Sequence, residues 1–138
     1  MTQTDFIEIG RNIIRENSYL TLATADGKPW AAPVFYAVDA KWTFYFISQL
    51  DSLHIRHIFK NPLVAFAIFD SHQKEGSGNG VQGLGTARLL NDDELDEAFR
   101  WYNTSFVEMK DDVTSILNKP YLLSPVSNQK QSDRNTIR

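Results

Sequence analysis

The chain of 138 residues has no cysteine, which excludes disulfide bonds, cysteine-based zinc sites and thiol catalysis. It also has no large excess of one charge, because 14 basic and 17 acidic side chains leave a formal net charge of -3. No global basic field is therefore present to attract nucleic acid. Apolar runs stay well short of the ~20 residues of a membrane span, and the N-terminus lacks the apolar core of a signal peptide. These absences predict a cytoplasmic protein that binds neither nucleic acid nor membrane.

The overall composition, with 42% hydrophobic and 22% charged residues, is typical of one globular domain. Apolar side chains at helical spacing from Phe6 to Ile14 predict an amphipathic first helix, capped by Thr4 or Asp5 and ending at Asn17. Aromatic and β-branched runs then predict a meander of three antiparallel strands. These strands should cover residues 19–24, 30–38 and 42–48.

The second half of the chain continues the alternation of helices and strands. A helix over residues 52–60 should stop before Pro62, and the apolar run 63–69 should form a central strand covered on both faces. Glycines in the next strand suggest a bulge or the close approach of another group, and the acidic residues 91–94 should begin the last helix.

This order of elements predicts an α+β fold in which a small antiparallel barrel carries flanking helices. One domain should cover residues 1–126. Residues 127–138 have nothing with which to fill a core and should form a disordered tail.

Polar side chains crowd the join between the third strand and the second helix. Ser48, Ser52 and His54 lie beside a helix N-terminus, where unpaired N–H groups and a partial positive charge favour a phosphate or carboxylate. An ordinary cap supplied by Asp51 or a serine, beside surface basic residues, is the competing interpretation.

The succession YLTLATADGKPWAAPVFYAVD, FYFISQLDSLHIRHIFKNPLVAFAIFD and VQGLGTARLL resembles the FMN-binding split barrel of the pyridoxamine 5'-phosphate oxidase-like family, over about residues 5–106. The resemblance implies FMN as cofactor. It assigns the flavin ring to Pro33, Val34, Phe35 and Tyr36, the phosphate to Ser48, Ser52 and His54, and a polar contact with the flavin or phosphate to Gln82.

Two departures from the family pattern narrow the implied function. Leu53 stands where the family often has Arg and His54 where it commonly has Lys, so Arg56 or Lys60 would have to supply the missing charge. The C-terminal Arg and His residues that grip the substrate of pyridoxamine 5'-phosphate oxidase have no counterpart, although residues 122–125 could form a stub of the closing strand. The resemblance therefore implies a relative of the general stress proteins and small flavin reductases rather than that oxidase itself.

On this interpretation the chain is a flavin-dependent oxidoreductase that passes electrons from NAD(P)H to a small acceptor. It would form a homodimer with the flavin in the cleft between subunits, and Trp101 and Tyr102 are the expected dimer contacts. The alternative is a non-catalytic module on the same barrel that holds haem, holds flavin for sensing or storage, or holds no cofactor.

The sequence gives less support to a metal site, a hydrolase site or a dinucleotide-binding site. His54, His57 and His72 are too few for a structural zinc site and are expected on the surface, so no metal is predicted. The serines lack the Gly-x-Ser-x-Gly elbow of a hydrolase, and the glycines of residues 76–85 precede a strand rather than a helix, unlike a dinucleotide-binding fingerprint. No catalytic side chain is identified.

Overall fold

A computed structural model describes residues 2–105 and 120–125. In chain order its elements are α1 (Gln3–Glu16), β1 (Tyr19–Asp26), β2 (Lys28–Val38), β3 (Phe44–Ile47), α2 (Leu53–Lys60), β4 (Leu63–Phe69), β5 (Gly80–Leu89), α3 (Leu95–Ser105) and β6 (Pro120–Pro125). A 3₁₀ turn, Asp92–Glu94, precedes α3. Within this part of the chain, every helix is too short or too polar to cross a membrane.

The six strands close into an antiparallel barrel in the order β1-β2-β3-β6-β5-β4. This confirms the predicted α+β split barrel. β6 completes the ring between β3 and β5, which confirms the expected stub at residues 122–125 and extends it back to Pro120. The tail predicted for residues 127–138 lies outside the described residues.

Strand alternation sends one set of side chains into the barrel and the other set outward. On β1 the inward residues are Leu20, Leu22 and Thr24, and all three are buried. Helix α2 packs mainly against β1 and adds Ile55 and Ile58 to this core. A second, smaller cluster lies outside the barrel wall, where α3 covers β2 and β3; its buried members are Ala37, Tyr45, Leu90 and Ala98.

Two details of the sequence prediction are wrong. Helix α1 is capped by Thr2 rather than by Thr4 or Asp5, because Asp5 occupies the third helical position and accepts the Thr2 backbone N–H at 2.8 Å in a capping box. Strand β4 is not covered on both faces in this chain: Leu63 and Phe69 at its ends are 53% and 54% exposed. An apolar run predicts a strand, but it cannot distinguish a buried face from an apolar outer surface.

One glycine of β5, Gly83, is closely approached by a side chain of the neighbouring strand. A Cβ on Gly83 would lie 2.5 Å from Cζ of Phe66, so the Phe66 ring lies directly over this glycine. The pairing of β4 with β5 runs without interruption from Leu63↔Thr86 to Phe69↔Gly80. Close approach is therefore confirmed, and the alternative of a bulge is wrong for this pair of strands.

Candidate functional site

The polar residues at the start of α2 form one cluster. Nε2 of His54 lies 2.8 Å from Oγ of Ser48 and 3.4 Å from Oγ of Ser52. Ser48 directly follows the end of β3, and Ser52 is the N-cap residue of α2. The structure therefore brings together the three side chains that the sequence assigned to a phosphate.

The side chain of the N-cap residue does not cap the first turn of α2. The Ser52 hydroxyl donates backwards to the Gln49 carbonyl at 2.7 Å and makes no capping hydrogen bond to the helix. Asp51 precedes the N-cap position, so it is not the cap residue that the competing interpretation allowed. Backbone N–H groups of the first turn therefore remain available to an anion.

The cluster is polar but carries little positive charge of its own. Burial, and secondarily the charge of His57, lower the pKa of His54, so its ring is mainly neutral at pH 7. Lys60, one of the two predicted substitutes, instead lies 3.3 Å from the Asp26 carboxylate, and Arg56 is exposed. An anion here would rely on hydroxyl, imidazole and backbone donors.

The other two histidines do not join this cluster. His57 was expected on the surface, but it is buried and its Nδ1 lies 3.0 Å from Oγ1 of Thr24 on β1. These residues are 33 positions apart, so nothing local in the sequence pairs them. His72 is exposed beside Asp70. The described part of the chain holds no group of three side chains suited to a metal ion.

The four residues assigned to the flavin ring divide between two faces of β2. Val34 and Tyr36 point into the barrel core and are only 5% and 2% exposed, and the Tyr36 hydroxyl donates to the Ile14 carbonyl of α1 at 2.5 Å. The expectation that all four side chains face a ring is therefore wrong for these two, because alternation along a strand reverses direction at each residue. Pro33 and Phe35 point outward.

Gln82 lies on the same outer surface as Pro33. The strand register places Pro33 opposite Thr21, Thr21 opposite Ala67, and Ala67 opposite Gln82. These four residues form one row across β2, β1, β4 and β5, about 14 Å long at the usual spacing of strands. A cavity of about 240 Å³ adjoins the β5 end of this row, beside Gln82.

The outer surface around that row is apolar. The next row contains Ala31, Ala23, Ala65 and Leu84. Large exposed side chains on the same surface are Tyr19, Leu63, Phe69 and Leu84. An apolar surface of this extent is typical of an interaction site. Trp101, an expected dimer contact, instead packs partly buried against the cluster under α3, and the Tyr102 side chain lies outside the described residues.

Comparison with known proteins gives the family. The family model described as pyridoxamine 5'-phosphate oxidase matches residues 8–123. A comparison with curated proteins finds no match.

Solved structures share the fold at low identity. A haem storage protein from Vibrio cholerae is 18% identical, with a TM-score of 0.77 over 93% of each chain. A FAD-binding protein from Mesorhizobium loti is 17% identical, with a TM-score of 0.61 over 92% of this chain and 91% of its own. A protein of unknown function from Agrobacterium tumefaciens is 16% identical, with a TM-score of 0.73 over 91% of this chain, which spans only 54% of that protein.

At such identities the structural likeness shows the fold alone. The family model, by contrast, spans most of the chain, from within α1 to within β6. The chain belongs to the pyridoxamine 5'-phosphate oxidase-like family of split-barrel proteins.

Proposed function

We propose that the protein binds FMN, with its phosphate at the Ser48–Ser52–His54 cluster and the uncapped first turn of α2. The observation that carries this proposal is the approach of both serine hydroxyls to Nε2 of His54, at 2.8 and 3.4 Å. A phosphate presents several acceptor oxygens, and hydroxyl, imidazole and backbone N–H groups can all donate hydrogen bonds to them. The match between this donor set and a phosphate supports FMN over an unphosphorylated flavin.

The flavin ring is proposed to lie against the outer surface of the sheet, with Pro33 and Phe35 on β2 as its apolar contacts and Gln82 as a polar contact. When bound, FMN supplies the redox chemistry. The protein holds the phosphate, orients the ring and shields it from water. We propose NAD(P)H as the electron donor and a small molecule as the acceptor, in a cytoplasmic flavin-reductase-type enzyme.

We also propose a homodimer formed through the same outer surface, and the apolar side chains exposed there support it. Tyr19, Leu63 and Phe69 are 60%, 53% and 54% exposed on one chain, and a second copy would remove them from water. The flavin would then lie in the cleft between two subunits, as expected for this family. Equilibrium sedimentation tests the dimer: Leu63→Glu should yield monomers, whereas the exposed loop variant His72→Glu should leave the dimer intact.

A specific observation also favours the alternative of a non-catalytic cofactor-binding module. The side chains gathered at the cluster carry no permanent positive charge, because Leu53 is apolar and His54 is mainly neutral. Such a site would hold phosphate less firmly than one with two cations. The fold is shared with the haem storage protein of Vibrio cholerae as well as with a FAD-binding protein.

The absorbance spectrum of the purified protein and a titration of the apo-protein separate these functions. FMN binding should give the flavin bands and quench flavin fluorescence, and NADH should then bleach those bands without air. His54→Ala should weaken FMN binding, whereas the matched control His72→Ala, in an exposed loop, should not. Flavin bound but never reduced by NAD(P)H would favour the non-catalytic module, and a haem spectrum without flavin binding would overturn the FMN proposal.

A further inference from the structure

A second cavity lies at the opposite end of β3 from the Ser48–Ser52–His54 cluster. It has a volume of about 370 Å³ and is lined by the last turn of α1, the end of β2, the turn that joins β2 to β3, and α3. This volume lies in the range of small-molecule sites. The cavity uses none of the residues proposed above to bind FMN, and Tyr36, which points into the barrel core, also lines it.

One wall of the cavity is Trp42, whose backbone is unusual. Its φ of 64° is left-handed, a conformation that bulky side chains rarely adopt. Asp39 holds this turn, because Oδ1 accepts the N–H groups of Lys41 and Thr43, each at 2.9 Å, and its carbonyl accepts the Trp42 N–H at 3.1 Å. Backbone conformations of this kind are concentrated at functional sites. Here the turn places an indole ring in the cavity wall.

Two guanidinium groups lie over the Trp42 ring. Cζ of Arg15 is 4.8 Å from the ring centroid and Cζ of Arg11 is 5.4 Å away. Neither arginine forms a salt bridge with a carboxylate in the part of the chain that the structure describes. A guanidinium held over a ring can still donate hydrogen bonds from its edge. Arg15, which lines the cavity, therefore brings an available cation to it.

Trp101, which also lines the cavity, carries a polar atom without a partner in the described part of the chain. Nε1 of Trp101 is buried and has no hydrogen-bond partner among residues 2–105 and 120–125. Native proteins rarely leave such a donor unsatisfied. The carboxylate that lines the same cavity, Asp39, is already engaged: besides the two backbone contacts, Oδ2 accepts the Tyr45 hydroxyl at 3.1 Å.

From these observations we propose that this cavity binds a small planar monoanion of the aromatic carboxylate class. The apolar ring would pack against the Trp42 and Trp101 walls, and the carboxylate would accept hydrogen bonds from Arg15. This proposal is independent of the flavin site, because it concerns the other end of β3 and different side chains.

The three tryptophans allow a direct test by NMR of the ¹⁵N-labelled full chain. Salicylate is the probe, and salicylamide is its neutral control. The indole N–H signals of Trp42 and Trp101 should shift together and saturate at one Kd, whereas Trp30, exposed on β2 and outside the cavity, should not move. Salicylamide at the same concentrations should leave all three signals in place.

Variants test the role assigned to the cation. Arg15→Gln should weaken salicylate binding by about 10-fold, the effect of losing one charge-assisted hydrogen bond. Arg56→Gln, which removes an exposed arginine from α2, should leave the Kd unchanged. Trp42→Asn, whose side chain tolerates a left-handed backbone, should abolish the shift of Trp101 without unfolding the turn.

Three outcomes would overturn the proposal. The first is the absence of a saturable shift at Trp42 and Trp101. The second is an equal response of Trp30, which would indicate non-specific binding. The third is binding that does not depend on the charge, seen either as equal binding of salicylamide or as an equal loss of affinity in Arg15→Gln and Arg56→Gln.

Discussion

Gly83→Ala should destabilise the barrel because of one short contact. An added Cβ would lie 2.5 Å from Cζ and 2.6 Å from Cε1 of Phe66, whereas ordinary contacts begin near 3.4 Å. The ring would have to shift by about 1 Å, and it packs against Phe44 in the core with a centroid separation of 5.1 Å. Overpacking of this kind costs about 1 to 3 kcal/mol. In a chain of this size, that corresponds to a fall in Tm of about 3 to 12 °C.

Urea unfolding followed by tryptophan fluorescence measures this loss, and a double-mutant cycle assigns it. In the Phe66→Leu background the smaller side chain leaves room for the new methyl group, so Gly83→Ala should cost less than about 0.5 kcal/mol there. The coupling energy between the two positions should then be about 0.5 kcal/mol or more.

Gly27→Ala provides a matched control. Gly27 also has no side chain, but nothing lies within 4 Å of its ideal Cβ, and its φ is 76°. Alanine there is disfavoured by the backbone alone, so its cost should be the same with or without Phe66→Leu, within about 0.5 kcal/mol. A Gly83→Ala variant as stable as the wild type, or one whose loss persists with Phe66→Leu, would refute the contact argument.

Three further predictions concern hydrogen bonds and protonation. Tyr36→Phe should cost about 0.5 to 1.5 kcal/mol in urea unfolding, because it removes the donor to the Ile14 carbonyl; an unchanged midpoint would contradict the role of this bond. Thr24→Val should cost about 1 to 3 kcal/mol, because it leaves the buried His57 Nδ1 unpaired, and a stabilised variant would show that His57 does not need that partner. The lowered pKa of His54 means that the unfolded state takes up its proton first as the pH falls. Its contribution to stability should therefore be complete above about pH 6.5, the unfolded value, and be lost below it. His54→Gln should reduce the slope of stability against pH, and an unchanged slope would contradict this role of His54.

The fold could be predicted largely from local signals. Alternation and turn residues identified the meander of β1, β2 and β3, and the Asn61–Pro62 pair marked the end of α2. The exposure of the outer face of β4 could not be predicted. An apolar strand that is buried on both faces and an apolar strand whose outer face is exposed have the same sequence pattern.

The candidate site was predicted where its residues are close in the chain. Ser48, Ser52 and His54 span seven positions, so the strand-to-helix join alone brings them together. The expectation for Val34 and Tyr36 failed because a run of four residues along a strand was assigned to one face. The contact of His57 with Thr24 and the gathering of Arg15, Trp42 and Trp101 depend on packing between distant elements, which no local pattern encodes.

We propose that the start of α2 binds the phosphate of FMN. The most direct measurement compares the Kd of FMN with that of riboflavin, which lacks the phosphate, for the wild type and for the Ser48→Ala/His54→Ala double variant. We predict that the wild type binds FMN at least about 10-fold more tightly, and that the double variant loses most of this preference while its riboflavin affinity changes little. Equal affinities for the two flavins, or a preference for FMN that survives in the double variant, would contradict the claim.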